Sequence, residues 1–171
     1  MMSHSMIFSS GWQTGWPNGS REMVKLRTAT AADCEEIYRI QMAAVRSLPG
    51  GSQGKAGIEK WLAGQQPSVY VSSMAEESFV IAEDDGIVGW GALSVPKQEI
   101  TNVFVDPAFH RQHIGSAILA MLESLAGKTG MDVVQLQATG TAIDFYSANG
   151  YRADPPVAPG ADWALMKKRL A

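Results

Sequence analysis

The chain has a single cysteine, Cys34, in 171 residues. One thiol can neither close an intrachain disulfide nor build a multi-cysteine metal site, so no metal is expected. Cys34 falls among apolar residues on a helical pattern, where packing is expected rather than nucleophilic chemistry. Long apolar runs are missing too. Nothing approaches the roughly 18 residues needed to span a bilayer, and Met1 to Glu22 lacks the apolar stretch of a secretory signal. A cytoplasmic protein with no membrane partner is the expectation, and the sequon Asn18-Gly19-Ser20 reads as chance. Nor is positive charge in excess: 14 Lys and Arg against 17 Asp and Glu give a net charge of −3. Phosphate-backbone affinity comes from clustered cations, so nucleic acid is not an expected partner.

What is present is a globular composition, 46% hydrophobic and 18% charged, of a length that suits one domain. Residues 1–22, rich in Ser, Gly, Trp and Met without periodicity, read as a flexible extension, and 23–171 as the folded domain. Val24 to Arg27 alternates like a short strand. Thr30 with Asp33 resembles a capping box, and Ile37, Ile40, Ala44 and Val45 behind it form one helical stripe. Leu48 to Ser52 is a Pro/Gly break, and Ile58, Trp61 and Leu62 suggest a second helix. Phe79–Ala82 and Ile87–Val95 flank the turn Asp84-Asp85-Gly86 as a hairpin. Gly89 and Gly91 inside the second run mark either a weak strand or a close backbone approach.

A further strand, Glu99 to Val105, stops at Asp106-Pro107 because proline ends the ladder. Ile114, Ala117, Ile118, Met121, Leu122 and Leu125 recur at spacings of three and four, the strongest helical signal in the chain. Val133–Ala138 reads as a strand, Thr141–Asn149 as a helix, Asp154–Gly160 as a loop and Ala164–Arg169 as a last strand.

The most informative stretch is the strand–loop–helix passage through Val103-Phe104-Val105 to His110-Arg111-Gln112-His113-Ile114-Gly115-Ser116-Ala117. A helix's first turn leaves backbone N–H groups unpaired at the positive end of its dipole, a ready phosphate site. Gly115 lets a pyrophosphate approach without a Cβ in the way. Ser116 adds a hydroxyl, and His110, Arg111 and His113 add local positive character.

This passage resembles the coenzyme motif of the GNAT superfamily of N-acetyltransferases, Gln/Arg-x-x-Gly-x-Gly/Ala after a Val-Asp-Pro-like triplet. His110 stands where the family has Gln or Arg, and His113 where it has its first Gly. If that position needs a left-handed backbone, histidine is among the residues that tolerate it. Downstream, Ala142-Ile143-Asp144-Phe145-Tyr146 through Gly150-Tyr151 looks like the family's Ala-x-x-Phe-Tyr-x-x-x-Gly-Phe helix. The order and separation of the motifs and the opening Arg27 to Asp33 fit as well, and the resemblance covers roughly residues 23–169.

The resemblance implies an α/β (α+β) fold with a mixed, mostly antiparallel central sheet flanked by helices. It also implies acetyl-CoA as co-substrate and acetyl transfer to an amine of a small molecule or peptide. Residues 112–117 would hold the pyrophosphate, and Val103 and Val105 would pair with the pantetheine arm, with Phe104 between them. Thr139, Thr141, Phe145 and Tyr146 would complete the cofactor side. Tyr146 matches the family's general acid. Glu99, eleven residues before His110, is a candidate base at a spacing seen in some family members, and Glu76, Glu77 and Glu83 stay open. Trp61, Trp90 and Trp163 are candidates for an acceptor pocket or for the core. A homodimer is an expectation from the family alone. A non-catalytic acyl-CoA-binding module remains as the alternative. A dinucleotide-binding domain is disfavoured, because no Gly-x-Gly-x-x-Gly follows the first strand.

Overall fold

The structure, a computed structural model, describes residues 24–48 and 54–171. The extension at 1–22 and most of the Pro/Gly break therefore lie outside the described residues. Twelve elements follow in chain order: β1 (Lys25–Thr28), α1 (Cys34–Ser47), α2 (Gly54–Leu62), α3 (Ser68–Ser73), β2 (Ser78–Glu83), β3 (Ile87–Ser94), β4 (Glu99–Val105), α4 (Ile114–Lys128), β5 (Val133–Thr139), α5 (Ile143–Ala148), β6 (Arg152–Ala153) and β7 (Trp163–Arg169). The strands form one sheet in the order β1-β2-β3-β4-β5-β7-β6. All its described pairs are antiparallel except β4–β5, which α4 connects. A mixed, mostly antiparallel sheet flanked by helices is the fold expected from the sequence.

Successive strand residues face opposite ways, and β2 divides its side chains between two cores. Phe79 and Ile81 pack with Cys34, Ile37 and Ile40 of α1 and with Tyr70 of α3. Val80 and Ala82 pack with Ile114, Ile118 and Leu122 of α4. With both faces covered, β2 and β3 carry continuous apolar runs where a half-exposed strand would alternate. Cys34 is buried, as its helical setting suggested.

The two glycines of β3 resolve to the close-approach reading. A Cβ on Gly91 would lie 2.7 Å from Ile118 Cγ2 and 2.9 Å from the Asn102 carbonyl oxygen. One on Gly89 would lie 2.9 Å from Ile118 Cδ1. Helix α4 therefore rests directly on the β3 backbone, which sets the height of its N-terminus above the sheet.

At the other end of the sheet, Asp33 anchors β1 and the start of α1. Its carboxylate accepts two bonds from the Arg27 guanidinium, at 2.7 and 2.8 Å, and one from the Thr30 backbone N–H at 2.7 Å. The hydrogen bond from Arg27 is the main reason the Asp33 carboxyl titrates below the usual range, outweighing its burial. Two elements went unread in the sequence. Helix α3 carries β-branched Val69 and Val71, poor helix formers, and Tyr70 secures it by donating to Gln41 Oε1 on α1 at 2.7 Å. Strand β6 has two residues and is too short for any pattern. The expected helix at Thr141–Asn149 begins instead with a 3-10 turn, Gly140–Ala142, leading into α5.

Candidate active site

Strands β4 and β5 are paired at one register position, Glu99↔Gln135. Beyond it they part, and a cleft of about 1210 Å³ opens between them. Its floor is β4 from Ile100 to Val105, its far wall is β5 with α5, and its near wall is α1 with α2. The N-terminus of α4 closes one end.

The turn from β4 to α4 is tightly specified. Asp106 Oδ1 accepts from the Ala108 N–H at 3.0 Å, and Oδ2 accepts from Arg39 Nη1 of α1 at 2.7 Å. Burial pushes the Asp106 carboxyl up, but Arg39 and the Ala108 N–H together hold it below its ordinary value. His110 Nε2 lies 3.2 Å from the Val105 carbonyl oxygen, across the turn. Arg111 and His113 both take left-handed backbone, at φ 61° and 60°. The position where a glycine is usual in the resembling motif is thus left-handed here as well, and histidine occupies it at a cost of about 1 kcal/mol. His113 stands as the residue before α4, whose first N–H groups face the cleft end unpaired within the helix.

Gly115 has a second reason to lack a side chain. A Cβ there would stand 3.1 Å from the Phe145 ring, so glycine here also lets α5 close against α4. Phe145 meets Tyr146 edge-on at 5.0 Å, and Tyr146 meets Tyr151 at 5.8 Å. Tyr151 in turn donates to Glu123 of α4 at 2.9 Å. Tyr146 is 9% exposed, lines the cleft, and has its pKa pushed up to about 12 by burial. No hydrogen bond to another described residue occupies its hydroxyl.

The expected cofactor residues come together. Val103, Phe104, Val105, the run His110 to Ser116, Thr139, Thr141, Phe145 and Tyr146 all line this one cleft. Ala117 does not, being one turn into α4, and Glu99 does not either, since it heads β4 just outside the cleft floor. Of the tryptophans, Trp61 lines the cleft. Trp90 is fully buried, stacked 5.4 Å from Phe79 and tilted against Phe104 at 5.4 Å, and Trp163 is 63% exposed at the start of β7. The sequence reading missed the cleft residues Thr101, Asn102 and Gln137. The available signal was a pair of polar residues inside an otherwise apolar strand. Asp144 is the one carboxylate on the cleft wall among the described residues. No group of three or more His, Cys, Asp or Glu among them is placed to hold a metal, and no described helix is long and apolar enough to cross a membrane.

The sheet thus splits between its two parallel strands, with the N-terminus of α4 at the mouth of the split. Residues 75–153 match the acetyltransferase (GNAT) domain family. The chain superposes on a GCN5-related N-acetyltransferase from Rhodopseudomonas palustris with a TM-score of 0.74 and 24% identity, covering 89% of this chain and 100% of the other. The PaiA N-acetyltransferase from Thermoplasma acidophilum, solved with coenzyme A, gives a TM-score of 0.76 at 17% identity over 85% and 98% of the two chains. YncA from Salmonella typhimurium, solved with acetyl-CoA, gives 0.61 at 18% over 86% and 94%. No curated protein matches the sequence. In this central segment and in its fold the chain is similar to GNAT acetyltransferases.

Proposed function

We propose that the chain transfers the acetyl group of acetyl-CoA to a primary amine. The observation that carries this reading is the convergence of three features on one cleft: the edge of β4 left open toward β5, the N-terminus of α4, and the Tyr146 hydroxyl, which bonds no other described residue. These residues suit the co-substrate. The first N–H groups of α4, with Arg111 exposed beside them, bind its pyrophosphate. The β4 backbone offers its open edge to the amides of the pantetheine arm as an added strand would. Bound acetyl-CoA supplies an activated acetyl group and a thiolate leaving group.

In the transfer the amine nitrogen bonds to the acetyl carbon, the carbon–sulfur bond breaks, and the nitrogen surrenders a proton. Tyr146, protonated at every physiological pH with a pKa of about 12, donates to the departing sulfur. The free thiolate, whose conjugate thiol has a pKa near 8.5, is the weaker base by several units. The burial that raises Tyr146 raises a thiol beside it as well, which narrows the gap. Glu99, the candidate base from the sequence, stands outside the cleft wall and could reach the amine only through water.

The near wall also speaks to the acceptor. Ala44, Val45, Leu48, Ile58 and Trp61 are apolar, and Asp144 is the one described carboxylate on the lining, across on α5. Polyamines need several counter-charges. An amine with a single charge and an apolar body suits this wall better.

The test is thermal unfolding with acetyl-CoA, then thiol release on adding amines. Ligand at a hundred times its Kd adds about 2.7 kcal/mol, or roughly 5 to 10 °C for a domain of this size. A shift of that order with amine-dependent thiol release supports the reading. A shift without release would make the chain an acyl-CoA-binding module, and no shift at millimolar ligand would refute the cofactor assignment.

A further inference from the structure

Strand β4 changes register at Thr101. Leu93 pairs with Ile100 and Ala92 with Asn102, so Thr101 is an extra residue, a β-bulge. A bulge re-aims side chains and interrupts pairing, and here it falls just past the last β4–β5 pair, Glu99↔Gln135. All of β4 from Ile100 to Val105 borders the cleft, Thr101 and Asn102 included.

The two are joined to a carboxylate outside the cleft. Thr101 Oγ1 donates to Glu77 Oε2 at 3.0 Å and receives a hydrogen bond from Asn102 Nδ2 at 3.3 Å. The Ala92 carbonyl oxygen, at 3.4 Å, is the more distant acceptor. Glu77 sits in the turn between α3 and β2, half-buried, and is absent from the cleft wall. Its contact with the cleft runs through the Thr101 hydroxyl. A hydroxyl oxygen has two lone pairs. Asn102 fills one, and the second remains for a group in the cleft.

We propose that Thr101 and Glu77 form a proton relay for the attacking amine. The relay rests on the acetyl-transfer reading, and supplies the acceptor that the cleft wall itself lacks beside β4. As the nitrogen lone pair forms its bond to carbon, the proton remaining on nitrogen becomes acidic. That N–H bond breaks toward Thr101 Oγ1 while the hydroxyl's own proton passes to Glu77 Oε2. Thr101 ends as a neutral hydroxyl and Glu77 as a neutral acid, which returns its proton to solvent from its exposed side. Asn102 orients the hydroxyl so that its hydrogen stays on the Glu77 side. Thr101 is the group that touches the substrate, and Glu77 acts through it.

The experiment is a double-mutant cycle on the full chain with acetyl-CoA and a reactive primary amine. Thr101→Val and Glu77→Gln should each lower kcat by about 100-fold or more, with KM for acetyl-CoA and the unfolding midpoint little changed. Thr101→Ser should recover most of the rate. The double variant should be no slower than the slower single one, because the two residues act as one unit. Multiplying losses would overturn the relay. So would an unchanged kcat in Glu77→Gln, and a loss in Glu99→Gln alongside it would move the role to Glu99. A wild-type chain that binds acetyl-CoA but releases no thiol with any amine would overturn the acetyl-transfer reading and the relay together. A competent wild type with a fully active Glu77→Gln variant overturns the relay alone.

Discussion

Replacing Gly91 with alanine tests whether α4 truly rests on the β3 backbone. The new methyl group would sit 2.7 Å from Ile118 Cγ2, 2.8 Å from Leu122 Cδ1 and 2.9 Å from the Asn102 carbonyl oxygen. Two of these are branched side chains wedged in the core, and the third is backbone of β4, so none can swing away freely. Overpacking of this kind costs typically 1–3 kcal/mol. Against that, removing a glycine from a strand restores roughly 0.5–1 kcal/mol of unfolded-state entropy. The net loss should be about 1 kcal/mol, or roughly 2–4 °C in Tm by calorimetry for a domain of this size. The displacement lifts the N-terminus of α4, so acetyl-CoA affinity should fall as well. Gly127, in the last turn of the same helix, is the control: nothing lies within 4 Å of its would-be Cβ. There alanine should stabilise by about 0.5–1 kcal/mol. A Gly91→Ala protein as stable as the wild type, or both variants moving in the same direction, would refute the packing argument.

Tyr146→Phe removes the hydroxyl and keeps the ring packing, so kcat should fall about 100-fold while the Kd for acetyl-CoA from calorimetric titration stays within about twofold. Equal losses in both would show a packing role instead. Arg111→Gly relieves a left-handed arginine worth about 1 kcal/mol while deleting an exposed cation at the phosphate end. Stability should hold or rise, yet acetyl-CoA binding should weaken and lose part of its salt dependence. Asp33→Ala strips Arg27 and the Thr30 N–H of their shared partner and should cost about 2–3 kcal/mol in urea unfolding. Because the Asp33 pKa is depressed on folding, its contribution is fully present above the usual carboxylate range near pH 4 and is lost as the pH falls through its folded value. The wild type should therefore lose stability more steeply on acidification than the variant. At the alkaline end the sign reverses for Tyr146. Its pKa rises from 10.0 to about 12, so the stability it contributes is complete below pH 10 and fades as pH approaches 12. Phenylalanine at this position should flatten that limb of the stability profile.

The parts of this molecule legible in the sequence are those set by local pattern. The α4 stripe from Ile114 to Leu125 and the hairpin around Asp85-Gly86 follow from periodicity and turn chemistry within a dozen residues. So does the phosphate-binding character of the loop before α4, since an unpaired helix N-terminus needs no distant partner. The left-handed backbone at His113 was legible as a condition: if the motif held, that φ had to be positive. Helix α3 was not legible, because Val69 and Val71 argue against a helix and the bond from Tyr70 to Gln41 spans 29 residues.

The candidate chemistry divides the same way. Tyr146 was recognisable from its motif, but only packing against Phe145 and Tyr151 makes it a buried phenol that stays protonated. Glu99 was singled out by spacing along the chain, yet the end of the β4–β5 ladder sets the cleft floor one residue beyond it. Thr101 was passed over, because a bulge is a relation between two strands. Its tie to Glu77 joins positions 24 residues apart across the β2–β3 hairpin. By itself, then, the sequence determined the elements, their faces and the phosphate end of the site, since those follow from periodicity and backbone hydrogen-bonding near in the chain. Where the strands part, which side chains enter the gap, and which carboxylate stands behind Thr101 were decided by tertiary structure, because each depends on two segments meeting in space.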